Sequence, residues 1–370
     1  MKILYVTTIS NTVNAFLVPH IKMLIENGHT VDVAFNIEQD VNPAVLEMGC
    51  KINVICFARN PLKLQNIKAY KELKQLIKEE KYDLVHTHTP TASMLVRLVC
   101  RKFRKQGLKV FYTAHGFHFF KGAPLLNWLI YYPIEKQLSK YTDTLITINK
   151  EDYARAKNKL HSKNVEYIPG VGIDVDKYIN TTIDRDAKRE ELSIPKDDFF
   201  IFSVGELNSN KNHEIIIRAI AKLERTDIIY VICGTGHLRD YLKNLAIKLG
   251  VKLNLMGYRI DIAEICKTSD LFAFSSKREG LPVSVMEAMA SDLPVICSSI
   301  RGCVDLVDNS KGGYLVESDN VQDYVDKIHL LYENKTIRNS MAIYNLQKVS
   351  KYDTNNILTI LKPFYERIYE

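Results

Sequence analysis

Both halves of the chain alternate short apolar runs with segments of helical period, and this alternation restricts the fold more than any other feature of the sequence. In the first half Lys2 to Thr7, Thr30 to Phe35, Lys51 to Cys56, Leu84 to His88, Val110 to Ala114 and Thr144 to Ile148 read as strands. Helical patterns separate them at Ala15 to Glu26, Ile67 to Glu80, Ser93 to Lys105 and Leu125 to Leu138. Strand and helix in strict succession imply a doubly wound parallel sheet. The second half repeats the scheme with strands at Phe199 to Val204, Ile228 to Cys233, Lys252 to Met256, Leu271 to Ser275 and Pro294 to Cys297. A chain of 370 residues is long enough for two such domains, each with its own core. The Gly- and Pro-rich segment Tyr167 to Asp174 and the polar run Asn180 to Arg189 read as a linker, which places the boundary near residue 175. The expected domains are therefore 1–175 and 176–351. A last helical pattern follows over 352–370, with Leu358, Ile360, Leu361, Phe364, Ile368 and Tyr369 apolar.

Composition narrows the class further. No run of about 20 apolar residues occurs, and the chain opens on a strand pattern rather than a signal peptide, so a cytoplasmic protein, soluble or peripheral to the membrane, is expected. Seven cysteines, without a close Cys-x-x-Cys pair, read as reduced core thiols rather than a disulfide or metal framework. The net charge of +7 is carried by the first half, where residues 1–175 hold 24 Lys and Arg against 15 Asp and Glu. Much of that excess lies in Lys63 to Lys81 and in Arg97, Arg101, Lys102, Arg104, Lys105 and Lys109, interleaved with Leu95, Leu98, Val99 and Phe103. The pattern is that of a basic amphipathic helix suited to an anionic membrane surface.

The strongest chemical signal lies in the second half, in Glu279-Gly-Leu-Pro-Val-Ser-Val-Met-Glu287. Ionised carboxylates are acceptors only, so one at a turn and one a helical turn further on can each hold vicinal hydroxyls. The amides of Gly280, Leu281 and Val283 open a helix and favour a phosphate, while Pro282 has no amide to leave unpaired. The apolar strand ending at Ser275 and Ser276 puts this segment at the carboxyl edge of a sheet, where open α/β folds bind ligands. Other strand ends carry further candidates. Gly205 and Lys211 lie in the turn Ser203 to His213, with Gly205 allowing a tight turn and Lys211 reaching for a phosphate. His115 and Gly116 end a first-half strand, with His118 close by, and Gly257, Tyr258 and Arg259 end a second-half strand. His86 and His88 share one strand face, but without a third ligand a metal site is not expected. Cys233-Gly-Thr-Gly-His-Leu-Arg239 lacks the third glycine of a dinucleotide fingerprint, which argues against an NAD enzyme.

The order and spacing of these motifs, over essentially all 370 residues, resemble the retaining glycosyltransferases of family 4, above all their bacterial exopolysaccharide and capsule members. The resemblance implies the GT-B fold, two Rossmann-like domains facing a central cleft, with the terminal helix crossing back onto the first. It implies that Glu279 holds the donor sugar, Glu287 the ribose, and Gly257, Tyr258 and Arg259 the base, with Arg259 stacking on the ring. It also implies that His115 and Lys211 serve the reacting sugar phosphate. On the acceptor side it offers Asn11, Thr12, His86, His88 and His118. Glu206 stands where the family pattern has an arginine, which removes one cation from the diphosphate site. The opening loop Thr7 to Asn14 lacks the family's paired glycines, leaving Ser10, Asn11 and Thr12 as its polar donors.

The resulting reading is transfer of a sugar from a nucleotide diphosphate, taken as UDP, to a hydroxyl of a polyprenyl-linked glycan in exopolysaccharide or capsule synthesis. Anomeric configuration is retained, no metal or other cofactor is needed, no nucleic acid is bound, and the basic first domain lies on the inner face of the cytoplasmic membrane. Two alternatives stand beside it. One is a GT-B sugar-nucleotide epimerase, which needs no acceptor; the other is an inactive GT-B scaffold of a polysaccharide synthesis complex, supported by Glu206.

Overall fold

A computed structural model describes residues 1–368 and resolves the chain into two compact units, Met1–Gly172 with the segment from Thr354 onward, and Ile173–Asp353. The first unit is built on seven parallel strands. These are β1 (Lys2–Ile9), β2 (Thr30–Asn36), β3 (Ile52–Val54), β4 (Leu84–Thr87), β5 (Lys109–Ala114), β6 (Thr144–Thr147) and β7 (Asn164–Tyr167), in the order β3-β2-β1-β4-β5-β6-β7. The second unit has six parallel strands, β8 (Phe199–Val204), β9 (Ile228–Cys233), β10 (Lys252–Gly257), β11 (Leu271–Phe274), β12 (Val295–Ser298) and β13 (Gly313–Val316), ordered β10-β9-β8-β11-β12-β13. In both sheets the order reverses beside the first strand of the unit. That is the switch point at whose carboxyl edge such sheets bind ligands.

The central strands are apolar on both faces because helices cover both. Every residue of β4, β6, β9, β11 and β12 is buried. Asn149 and Asn320 cap the helices Lys150–Lys159 and Val321–Glu333 by accepting from the amides of Asp152 and Asp323. The terminal helix Thr354–Glu366 belongs to the first unit. Its Ile357, Leu361 and Tyr365 are buried, and the Tyr365 hydroxyl bonds both the Tyr5 hydroxyl and, at 2.6 Å, His86 Nδ1. Tyr369 and Glu370, the end of the expected 352–370 helix, lie outside the described residues.

Several expectations change. Strands β7 and β13 were not anticipated: β7 is a half-buried edge strand of four residues, and β13 lies so close to β12 that a Cβ on Gly313 would stand 1.9 Å from the Val295 carbonyl oxygen. Part of the polar run assigned to the linker is the helix Arg185–Glu191 of the second unit, whose Lys188 and Arg189 are buried by ion pairs to Asp261 and Asp270. The opening loop is helical from Ser10, with a π-helical turn at Val13–Leu17 leading into Val18–Glu26.

The basic amphipathic helix is corrected most. It runs Pro90–Phe103, and its apolar side, Leu95, Val96, Val99 and Cys100, lies in the core. Arg97 points inward as well and is 1% exposed. It lies over the Tyr112 ring and is gripped by both carboxylate oxygens of Glu135 on the helix Leu125–Ser139. Among the described residues no helix is long and apolar enough to cross a membrane.

Candidate active site

In the second unit, the loops after β8, β11 and β12 converge. After β8, Lys211 and Asn210 turn back over Gly205, where a Cβ would press at 3.1 Å on the Lys211 stem, so the glycine gives that side chain its path. After β11, the Ser275 hydroxyl donates to the carbonyls of Lys211 and Asn212 at 3.0 Å, and the Lys277 amide donates to Asn210 at 2.8 Å. The two loops are therefore stitched together before any side-chain charge is counted. Across the seam Lys211 Nζ donates to Glu279 Oε1 at 2.7 Å, and the ammonium also lies 5.1 Å from the centre of the Phe274 ring.

Gly280 and Leu281 then lead into the helix Val283–Ala290, with Pro282 at the position before its first residue. The amides of Gly280, Leu281 and Val283 find no partner among the described residues. They are oriented donors at a helix start, next to a lysine, which is the arrangement that holds a phosphate. One turn into the helix, Glu287 accepts from the Tyr178 hydroxyl. Burial raises the Glu287 carboxyl above its ordinary range, and the tyrosine bond opposes that shift. Tyr178 itself is raised by burial and by the Glu287 charge, so it remains a donor.

The strand ends beside this cradle form a glycine floor. Gly205 donates to Cys233 at 3.0 Å and Gly234 to Gly257 at 2.7 Å, while a Cβ on Gly234 would fall 1.9 Å from the Gly205 carbonyl oxygen. Gly257 takes φ +71 and Tyr258 beyond it is exposed. Nε and Nη2 of Arg259 are taken by Asp261 and Glu191, which leaves Nη1 and the face of the guanidinium for a ligand.

In the first unit Thr12 and His118, alone of the residues expected there, line a cavity of about 860 Å³. Its walls include Thr12, Arg59, Leu62, Gly116, His118 and Tyr131, and the Arg97–Glu135 pair lies against it. Thr89, held at φ +54, bonds Thr8 at the rim and joins the ends of β1 and β4. Asn11 Oδ1 is buried without a partner among the described residues, whereas Ser10 is consumed by Gln39 and the amide of Glu38. His118 stacks on Tyr131 at 4.6 Å.

The three remaining histidines form a column. His88 Nδ1 lies 3.2 Å from Nε2 of the half-buried His115, and the His86 and His88 rings stack at 4.3 Å. Burial, with a smaller contribution from His20, lowers His115 to about 4, so it is neutral at physiological pH. The acceptor-side expectation for His86 is corrected. It is fully buried and both ring nitrogens are used, one by Tyr365 and one by Thr113 at 2.8 Å. His88 is likewise buried and faces His115 rather than solvent. No group of three or more His, Cys, Asp or Glu side chains that could hold a metal ion occurs among the described residues.

Two residues of the second unit had no signal in the sequence. Tyr178 sits 109 positions before its partner Glu287. Arg301, in the loop after β12, donates from Nε to the Glu279 carbonyl at 2.9 Å and is 6% exposed.

Comparison with known proteins agrees with this geometry. Residues 2–149 match the family "Glycosyl transferase 4-like" and residues 184–348 match "Glycosyl transferases group 1". EpsD of Bacillus subtilis strain 168, provisionally assigned as a glycosyltransferase, is 38% identical across 90% of this chain and 87% of its own length. The UDP-Gal:alpha-D-GlcNAc-diphosphoundecaprenol alpha-1,3-galactosyltransferase of Escherichia coli is 30% identical across 75% and 74% respectively. Among solved structures, Anabaena Alr3699/HepE in complex with UDP and glucose superimposes with a TM-score of 0.83 over 99% of this chain and 100% of that one, at 17% identity, a likeness of fold.

Proposed function

The chain belongs to the family 4 glycosyltransferases, and from that premise we propose that it moves a sugar from UDP to a hydroxyl of a glycan carried on a polyprenyl diphosphate, with anomeric configuration retained. The observation that carries this reading is the cradle in the second unit. There Lys211, the carboxylate of Glu279 and the unpaired amides of Gly280 and Leu281 meet at the carboxyl edge of the sheet. The Escherichia coli relative, whose name specifies UDP-Gal and a diphosphoundecaprenol acceptor, supports the choice of donor and carrier.

The chemistry follows from charge. As the bond between the anomeric carbon and the β-phosphate oxygen lengthens, negative charge grows on the leaving diphosphate, and Lys211 with the two amides stabilises it. Glu279 holds donor hydroxyls. Glu287, kept in place by Tyr178, takes the ribose hydroxyls on its remaining lone pairs. Gly257, Tyr258 and the face of Arg259 receive the base. Neither carboxylate acts as a nucleophile; the acceptor oxygen attacks the face that the diphosphate leaves, and a leaving phosphate oxygen takes its proton. On this reading the diphosphate is met by Lys211 and the amides of Gly280 and Leu281, and no metal is called for.

The acceptor occupies the first-unit cavity, where Thr12 and His118 supply polar contacts. Its lipid carrier holds the enzyme at an anionic membrane. The contact surface is not the helix Pro90–Phe103, whose apolar side is in the core, but two exposed apolar segments of the same unit. One holds Leu62, 89% exposed, with Leu64 and Ile67; the other holds Leu125, Leu126 and Leu129. Lys63, Lys68 and Lys121 lie among or beside them in sequence and supply the positive charge.

Thermal unfolding with UDP, GDP, ADP, TDP and CMP, each with magnesium and with chelator, tests the donor site. A ligand at 100 times its Kd stabilises by about 2.7 kcal/mol. Selective stabilisation by UDP in chelator is the expected result; no shift with any nucleotide, or a shift that needs metal, overturns the donor reading.

A further inference from the structure

The direction of one hydrogen bond in the histidine column decides what His115 can offer a ligand. His88 Nδ1 lies 3.2 Å from His115 Nε2, so one of these nitrogens carries the shared proton and the other accepts it. Both rings are neutral at physiological pH, because burial lowers His88 well below its ordinary value and His115 to about 4. Each ring therefore has one N–H and one bare nitrogen.

The far nitrogen of His88 fixes that direction. Its Nε2 is sealed from solvent and has no hydrogen-bond partner among the described residues. The ring is held in place by stacking on His86 at 4.3 Å and on Tyr5 at 5.3 Å, and the His88 amide donates to Val6 at 2.9 Å. A proton on Nε2 would be a buried N–H without an acceptor, which folded proteins rarely leave; an acceptor without a donor is less rare. The His88 proton therefore sits on Nδ1 and is donated to His115. His20 of the same unit has the same arrangement by necessity. Its Nε2 lies 2.8 Å from the Val171 carbonyl, which can only accept, and its Nδ1 is the buried nitrogen without a partner among the described residues.

Resting on the transfer reading above, with His115 at the reacting sugar phosphate as the family resemblance implies, we infer that His88 is a positioning residue: it holds His115 with Nε2 accepting and Nδ1 protonated. His115 follows β5 and is half-buried, and its Nδ1 bonds none of the described residues. His115 then meets the donor as a hydrogen-bond donor to an oxygen of the sugar phosphate, and not as a proton acceptor. An N–H at that place stabilises negative charge as it grows on the leaving oxygen, whereas a bare nitrogen would repel it.

The test is a long-range proton–nitrogen correlation spectrum of the full chain with isotope-labelled histidine at neutral pH. It is run on the native chain, on His88→Phe and His88→Asn, and on His115→Gln to identify the His115 signals. Phenylalanine keeps a ring to stack and loses the donor; asparagine loses the ring and keeps an amide N–H close to the position of Nδ1. Native His115 is expected to be protonated at Nδ1 and bare at Nε2. In His88→Phe its proton should move, wholly or in part, to Nε2, and single-turnover transfer should slow about 10-fold; His88→Asn should restore most of both. Unchanged His20 signals show that the unit is folded. Three results overturn the inference: native His115 protonated at Nε2, a His115 signal that is the same in His88→Phe as in the native chain, or a rate loss that His88→Asn does not restore. The native spectrum decides the first of these even where a variant fails to fold. The spectrum needs no substrate, so a chain with the expected tautomer that transfers no sugar contradicts the transfer reading and leaves the pairing of the two histidines standing.

Discussion

Gly302→Ala is the sharpest perturbation of the cradle that leaves every charged group in place. Two costs arise at this position. At φ +81 an L-residue sits in the left-handed region, at a cost of about 1 to 2 kcal/mol. In addition the new Cβ would lie 2.3 Å from the Gly280 carbonyl oxygen, and real Cβ contacts essentially never fall below 3.0 Å, so the two backbones must separate by about 0.7 Å. Overpacking of this kind costs about 1 to 3 kcal/mol, and a catalytic geometry misplaced by about 1 Å loses on the order of 100-fold in rate. Gly28→Ala isolates the first cost, since Gly28 has φ +80 and nothing within 4 Å of its Cβ position. Urea unfolding and single-turnover transfer, run on both variants, separate the two. Gly28→Ala is expected to lose about 1 to 2 kcal/mol of stability and no activity. Gly302→Ala is expected to lose about 2 to 5 kcal/mol and one to two orders of magnitude in transfer rate. Gly302→Ala with native transfer and the stability of Gly28→Ala would refute the idea that this contact sets the cradle.

Arg97→Leu leaves the Glu135 carboxylate buried beside an apolar side chain and should destabilise the protein by about 3 to 5 kcal/mol, whereas Arg97→Leu with Glu135→Met should recover most of the loss; chemical denaturation of both variants decides it. Stability should also fall in acid below the carboxylate-independent plateau. His115 and His213 are lowered to about 4 in the fold, chiefly by burial, so the unfolded chain binds their protons first. Their contribution is complete above the unfolded value near 6.5 and drains between there and about 4, by roughly 1 kcal/mol per histidine per pH unit; His213→Phe should flatten part of that slope in pH-dependent urea melts, and an unchanged slope counts against the assignment. Replacing both Leu125 and Leu129, exposed on one helix, with Asp should reduce sedimentation with anionic vesicles at low salt by at least about 10-fold while leaving UDP binding intact; equal sedimentation would remove this face from the membrane contact.

The sheets were legible because their strands are apolar on both faces, a pattern that survives without knowledge of any partner. Strands β7 and β13 were not: β7 is four residues long with none fully buried, and β13 is defined by how closely Gly313 approaches Val295 rather than by its composition. Interleaved bases in Pro90–Phe103 suggested a membrane face because local period cannot tell an inward arginine from an outward one. Glu135, 38 positions later, decides the direction of Arg97. The same limit applies at the site. Glu279, Lys211 and the helix start form one readable cluster, since each lies at the end of a recognisable strand. Tyr178 and Arg301 join them only through contacts 109 and 22 positions away. His86 shows the reverse case, a histidine with site-like spacing whose partners, Tyr365 and Thr113, make it part of the packing.

The most direct test is transfer itself. Labelled UDP-sugars are offered one at a time, in chelator, to the native chain and to Glu279→Gln, with undecaprenyl-diphosphate-linked GlcNAc among the acceptors, and label is followed into the lipid phase. The native chain should move one sugar with its α configuration kept, and Glu279→Gln should bind UDP yet transfer at least about 100-fold more slowly. Label that stays in the aqueous phase with every UDP-sugar and lipid-linked acceptor, or a Glu279→Gln variant as fast as the native chain, would contradict the proposed reaction and the site assigned to it.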